Sequence, residues 1–215
     1  MYIGFFIGRA QTGQLLSFSM VCPETGESFS IPEIRGDKRI DGKTIYGLRL
    51  WENSDLVPRP DDVFQERLYC VRWVETYLDT NAKGELVEKT RQHYRKVTKE
   101  NLARENRDIE LLKERFSEWQ EKGYIPSRRI ERGGDKTEEP IRTRGWSYWH
   151  HLFTPRQLLL AGLLQESSSH NNRQIAVASY LGIAKIADWN SRLCAWMQHS
   201  GNLKGMLILN NVNYR

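Results

Sequence analysis

The chain has 215 residues, 39% of them apolar and 27% charged, enough for one domain or one and a half with a core burying about 70% of the unfolded surface; this excludes a fully disordered polypeptide and a multidomain enzyme. Lys and Arg number 32 against 27 Asp and Glu, a formal charge of +5, which allows a polyanionic partner without demanding one. Cys22, Cys70 and Cys194 are the only cysteines and form no C-x-x-C pair, so they cannot by themselves make a disulfide framework or a zinc ribbon, and a reducing cytoplasm is the expected compartment.

The first predicted element is Tyr2 to Ile7, an apolar run that contains Gly4 and meets Arg9. It is strand-sized and too short for a signal core, and no run approaches the ~20 apolar residues of a membrane span, so a soluble protein without membrane contact is expected. Leu15 to Val21, Ser28 to Ile31 and Thr44 to Trp51 read as further short strands, with Pro23-Glu24-Thr25-Gly26 as a hairpin loop between the first two. Leu68 to Leu78 and Leu86 to Val97 then alternate with period two around the turn-forming stretch Asp79 to Glu85, predicting a long hairpin. The second strand sets Lys89, Arg91, His93 and Arg95 on one face. Residues 1–97 are therefore expected to be β-rich.

The period changes after Val97. Thr98 is a candidate N-cap, and Leu102, Ile109, Leu112, Phe116 and Trp119 fall on one helical stripe that Gly123 would close, so residues 98–123 read as an amphipathic helix. Pro126 to Gly145 is rich in Arg, Glu, Gly and Pro without apolar periodicity and reads as an ordered loop or a hinge, and residues 124–153 as a whole as a basic, aromatic loop. Thr154-Pro155-Arg156-Gln157 combines a capping hydroxyl, a proline at the first helical position and a Gln three residues after the cap. Residues 154–215 are expected to be helical: a well-buried Leu158-to-Leu164 helix broken at Ser167 to Asn172, then a last helix from Gln174 to about Met197 with Ile175, Ala178, Leu181, Ile186, Trp189, Leu193 and Trp196 inward. The predicted class is α+β, antiparallel strands first and helices last.

Few segments carry the pattern of a catalytic site. Gly42-Lys43-Thr44 ends like a phosphate-cradling loop, but Asp37 stands where the first glycine belongs, and an ordinary hairpin turn is expected; Gly134-Asp135-Lys136-Thr137 fails in the same way. His93, His150, His151, His170 and His199 offer no i, i+4 pair and no cysteine at ligand spacing, so no metal site is expected from this chain alone. No nucleophile elbow is present, and neither is the glycine-rich cofactor loop or the Asp/Asn-Pro-Pro-aromatic motif of an amino-group methyltransferase. The strongest constellation is Arg128, Arg129, Arg132, Lys136, Arg142 and Arg144 running into Trp146, Tyr148, Trp149, His150 and His151. Guanidinium groups neutralise phosphates and exposed rings stack on bases, so Arg128, Arg129, Arg142, Arg144, Trp146, Trp149 and His150 are the candidate nucleic-acid contacts. The opposing reading is a solvated loop, its charge offset by Glu131, Asp135, Glu138 and Glu139, whose Trp residues cover the Leu-rich helix.

Several runs are also similar to a known family. They are Phe18-Ser19-Met20-Val21-Cys22-Pro23-Glu24-Thr25-Gly26-Glu27, Arg49-Leu50-Trp51-Glu52, Asp61 to Cys70, Trp149-His150-His151-Leu152-Phe153-Thr154-Pro155-Arg156-Gln157-Leu158-Leu159, and Asp188 to Trp196. Together they resemble the central region of large bacterial and archaeal adenine-specific DNA methylases that carry a zinc ribbon, some associated with anti-phage systems. The resemblance covers residues 1 to about 196, with Thr-Pro-Arg-Gln-Leu-Leu its most specific part. It implies an S-adenosylmethionine-dependent, zinc-containing full-length enzyme. In that family the zinc-ribbon cysteines and an Asp-Pro-Phe-x-Gly-Gly cofactor motif precede this region, and an Asp-Pro-Pro-Tyr catalytic motif follows it. None of them occurs here, so no catalytic, cofactor or metal residue carries over and no complete Rossmann-like core is expected. The implied protein is a fragment or split subunit, with DNA and a separate methylase core as partners.

Overall fold

The computed structural model describes residues 19–22, 24–68, 70–192, 195–197 and 202–204. The predicted strand Tyr2 to Ile7 lies outside them. The chain is α+β, and every sheet among the described residues is a two-stranded antiparallel ribbon; none of these is the parallel βαβ sheet on which a Rossmann-like core is built. No helix among the described residues is long and apolar enough to cross a membrane. Contacts divide the chain into two units, 1–65 with 126–152, and 66–125 with 153–215.

In the first unit, β1 (Ser19–Val21) pairs with β2 (Ser28–Ser30) across a turn closed by the Cys22 N–H on the Glu27 carbonyl and the Gly26 N–H on the Cys22 carbonyl. The strand predicted over Ser28 to Ile31 ends early, because Ser30 caps a short helix, α1 (Ile31–Arg35): the Ser30 hydroxyl accepts from the Glu33 N–H and Glu33 returns to the Ser30 N–H. β3 (Lys38–Ile40) and β4 (Lys43–Ile45) follow, joined by Asp41 and Gly42 with φ of 49° and 77°. A two-residue loop with both φ values positive is the hairpin turn that matches strand twist. Gly42-Lys43-Thr44 is therefore a hairpin turn and not a phosphate loop. The predicted strand Thr44 to Trp51 stops at Ile45 for a steric reason: Gly47 passes so close to the carbonyl of Gly36 that a Cβ would collide with it, and the Gly47 N–H turns to the Asp37 carboxylate, 3.0 Å away.

The segment predicted as an ordered loop or a hinge carries helical structure. It contains α3 (Asp135–Arg144), which ends at Gly145 (φ 75°), and a 3-10 turn at Trp149–Leu152. The helix was hidden because its inward residues are only Pro140 and Ile141, too few to make a periodic stripe.

The second unit opens with β5 (Cys70–Thr80) and β6 (Leu86–Lys96), an eleven-residue hairpin in the expected position whose faces are both largely exposed. α2 (Lys99–Glu121) starts as predicted: Thr98 and Asn101 form a reciprocal cap, while Gly123 (φ 73°) follows its last turn. Leu112, Phe116 and Trp119 are buried on the stripe, whereas Leu102 lies exposed. α4 (Pro155–Ser169) begins at the predicted Thr154 box, with the Thr154 N–H donating to Gln157 Oε1 at 2.8 Å. Leu158, Leu159 and Gly162 face α2, but Leu160 and Leu163 are exposed, so only one side of the Leu-rich run is covered.

The last predicted helix needs two corrections. α5 (Arg173–Asn190) stops at Ser191, and Ala195–Met197 forms β7, paired with β8 (Asn202–Lys204). Asn190 competes for the helix backbone, its side-chain amide donating to the Ile186 carbonyl at 2.7 Å. The inward stripe also lies one position along from the predicted one. Ala176, Ser179, Ile183 and Ala187 are covered, while Ile175, Ala178, Leu181, Ile186 and Trp189 are exposed. The stripe joins Ile183 to small side chains and leaves the other large apolar residues of α5 outside. Leu193 lies outside the described residues.

Candidate nucleic-acid interface

The basic, aromatic segment rests on a buried polar and aromatic core within the first unit. Residues 128–130 run antiparallel to 147–149: the Ile130 N–H donates to the Ser147 carbonyl at 2.9 Å, the Trp149 N–H donates to the Arg128 carbonyl at 3.2 Å, and Arg129 bridges Tyr148. Behind this pairing, Trp51 meets Trp146 edge to face at 6.5 Å between centroids and His151 at 5.2 Å. The Trp51 N–H donates to the Gly145 carbonyl at 2.8 Å, and the Ser147 hydroxyl to the Trp51 carbonyl. Gly145 is required there twice over, by its positive φ and by the Arg49 carbonyl that lies where a Cβ would stand.

The two adjacent histidines are structural. His151 Nδ1 lies 3.2 Å from the N–H groups of both Ser147 and Tyr148, so that nitrogen is the acceptor; Nε2 then carries the proton and donates to the Glu52 carbonyl at 3.0 Å. His150 donates from Nδ1 to the Pro126 carbonyl at 3.2 Å and is fully buried. Burial pushes its pKa down to about 4, against hydrogen bonds to the backbone of Pro126 and Asn53 that favour the charged ring. It is a neutral crosslink between segments far apart in sequence.

A charged clamp fixes the irregular stretch that supplies Trp51. Arg49 bonds Asp62 through Nε and Nη2, at 2.8 and 2.7 Å, and reaches Asp55 at 2.6 Å; Arg59 also bonds Asp55, at 2.8 Å. Burial acts to raise the Asp55 pKa, but the bonds from Arg49, the Glu52 N–H and Arg59 outweigh it and hold the carboxyl below its usual value. Asp62 is held low chiefly by Arg49. Replacing Asp55 with Ala leaves Arg49 to Asp62 and Arg59 to Glu52 and strips the Glu52 N–H of its acceptor; a loss of about 2 kcal/mol in the urea stability of the first unit is expected, and an unchanged midpoint would remove the clamp from the account.

On the outer side of this framework Arg128, Arg129, Arg142 and Arg144 are all exposed, as are Arg132 and Lys136. Arg129 lies over the Tyr148 ring at 5.2 Å and donates to its hydroxyl at 3.1 Å, and Arg144 lies over Phe64 at 5.3 Å. Such stacking fixes a guanidinium while leaving N–H edges outward. Neither Arg128 nor Arg142 forms an ion pair with the neighbouring acids among the described residues, so the expected neutralisation by Glu131, Glu138 and Glu139 is not made through contact.

The aromatic half of the prediction requires correction. Trp149 is 38% exposed, but Trp146 is only 7% exposed and His150 not at all. The latter two hold the framework together and cannot stack on a base without unfolding it. Phe64, which supports Arg144, was missed because nothing in a sequence links positions 80 apart. Among the described residues no three His, Cys, Asp or Glu side chains converge as metal ligands. No protein-family model, no curated protein and no solved structure matches the chain.

Proposed function

We propose that this chain is a non-catalytic region of an S-adenosylmethionine-dependent adenine-specific DNA methyltransferase, and that it contributes DNA binding or positioning. The observation that carries the reading is the set of exposed guanidinium groups, Arg128, Arg129, Arg142 and Arg144, mounted with the half-exposed Trp149 on a framework of buried Trp51, Trp146, His150 and His151. An array of exposed cations, two of them held on rings, is suited to phosphates, whose contacts set register and orientation without reading sequence. The methylase assignment is supported by the sequence resemblance and by the absence from this chain of the motifs that hold the cofactor and grip the adenine amino group.

The test is binding of a fluorescent DNA duplex by anisotropy across a salt series. Replacing Arg128, Arg129 and Arg142 together with Ala is expected to weaken binding at least tenfold at moderate salt and to lower the slope of log affinity against log salt by about 2 to 3, close to 0.9 per lost phosphate contact. Equal affinity and slope in wild type and variant would reject the site. Transfer of labelled methyl groups to DNA by the purified chain alone would reject the non-catalytic role.

A second reading rests on a different observation. Ile175, Leu181, Ile186 and Trp189 on α5, with Leu160 and Leu163 on α4, are exposed, and Leu159, Leu160 and Leu163 floor a groove of about 470 Å³ edged by Arg104, Arg107 and Arg156. On this reading the chain is a structural module docking on a separate methylase core. It predicts a poorly soluble chain without DNA affinity, and a soluble monomer with one sharp thermal transition counts against it.

A further inference from the structure

The hairpin of β5 and β6 has no part in the site described above, and it is the longest sheet element among the described residues. Two eleven-residue strands span about 35 Å at 3.3 to 3.4 Å per residue. No third strand joins them among the described residues, and exposed residues lie on both faces. A bare two-stranded ribbon is marginal in water unless its cross-strand pairs support it.

The register shows how this one is supported. Val71, Trp73, Glu75, Tyr77 and Asp79 share a face with Val87, Lys89, Arg91, His93 and Arg95. On that face every contact is diagonal. Lys89 pairs with Asp79 at 2.7 Å, Arg91 lies over Tyr77 at 5.0 Å, His93 bonds Glu75 at 2.8 Å, and Arg95 lies over Trp73 at 5.6 Å. Contacts to carboxylates and stacked guanidiniums alternate along the ribbon. Lys89 and His93 are taken up by carboxylates, and the His93 bond is the chief reason Glu75 sits below its usual pKa. Arg91 and Arg95 make no ion pair among the described residues; each is exposed and lies over a ring.

Charge is also sorted along the length. The half of the ribbon nearest α2 carries Arg72, Arg91, Arg95 and Lys96 against Glu75 alone, while Asp79, Glu85 and Glu88 gather toward the tip with Lys83 and Lys89. A structural arm needs no such separation. A ribbon that meets a polyanion along its base and keeps its tip clear does.

We propose that the base of this hairpin is a second nucleic-acid contact, laid across the major groove of duplex DNA with Arg91 and Arg95 on phosphates; only the choice of DNA as the polyanion rests on the function proposed above. The dimensions agree. Four residues along a strand set Arg91 and Arg95 about 14 Å apart, near the ~12 Å width of the major groove, and a two-stranded ribbon fits that groove. Exposed Trp73 and half-buried Tyr77 hold the two guanidiniums in place, so little side-chain freedom is lost on binding.

The experiment uses the full chain, the same labelled duplex and the same salt series. R91A/R95A is expected to weaken binding about tenfold or more and to lower the salt slope by about 2; R91K/R95K, which keeps the charges, should retain most of the slope, and K83A at the tip should match wild type. All of these positions are exposed, and unchanged circular dichroism checks that the fold survives. Equal affinity and slope for R91A/R95A and wild type would overturn the ribbon, as would a wild-type chain that binds no duplex at low salt. The two sites separate cleanly: loss on R128A/R129A/R142A alone leaves the first and removes the ribbon, and loss on R91A/R95A alone does the reverse.

Discussion

Trp119→Ala should cost about 3 to 5 kcal/mol of stability in the second unit, read from urea denaturation followed by far-ultraviolet circular dichroism, to which α2, α4 and α5 contribute most of the helix. Trp119 is fully buried, its indole N–H donates to Glu166 at 3.3 Å, and Arg115 both covers the ring at 5.4 Å and pairs with Glu166 at 3.2 Å. The ring lies directly over Gly162, where any Cβ would collide with it. Gly162→Ala alone should therefore destabilise by about 1 to 3 kcal/mol, although alanine is the better helix former by about 1 kcal/mol. In the Trp119→Ala background the sign should reverse, because the added methyl then enters a cavity and the helix preference is regained. Additive effects in this double-mutant cycle would mean that the ring and the glycine do not share one packing contact.

The second large effect is on pH. His150 titrates near 4 in the folded chain and near 6.5 when unfolded. Between those values the unfolded chain binds a proton that the folded chain does not, so stability falls as the pH falls through that window and levels off below about 4, with a total loss on the order of 3 kcal/mol. Asp55 and Asp62, whose pKa values are depressed, work in a separate window: their stabilisation is complete above the usual carboxylate pKa and is lost only as the pH drops below it. His150→Asn keeps a donor for the Pro126 carbonyl and should flatten the upper window while leaving the lower one. Urea midpoints from the indole signals of Trp51 and Trp146 would show this. A wild-type chain with level stability from pH 6.5 to 4 would refute it.

Much of the second unit was readable in advance because its signals are local. The Thr98 and Thr154 caps need only three neighbouring residues each, and the stripe of Leu112, Phe116 and Trp119 repeats with the helix. The same logic failed on α5, where Ile183 is covered together with the small residues Ala176, Ser179 and Ala187, while Ile175, Leu181 and Ile186 lie outside. Hydrophobicity says which residues prefer burial, whereas the closeness of two helices depends on which are small. α1 is hard to see in the sequence despite a complete Ser30 and Glu33 box, because the strand-like run before it continues without a break into the cap.

For the candidate site, the cations were readable and the rings were not. Arg128, Arg129, Arg142 and Arg144 are exposed as their charge requires, since isolated charges are costly to bury. An aromatic residue has no such constraint. Trp146 and His150 lie inward because Trp51 supplies a ring to the first, and Pro126 and Asn53 supply backbone partners to the second, all from distant positions. Trp149, three residues after Trp146, stayed at the surface.

The path of the chain through its two units has a consequence for cleavage. Residues 1–65 and 126–152 make one unit, and the whole β5–β6 hairpin lies in the stretch between them. A single proteolytic nick at the exposed tip, Asn81 to Glu85, removes no structure from the first unit but leaves its two segments on different polypeptides. A unit that folds as a unimolecular object would then persist only as a complex of two fragments, and its stability, independent of concentration before the cut, would afterwards depend on it.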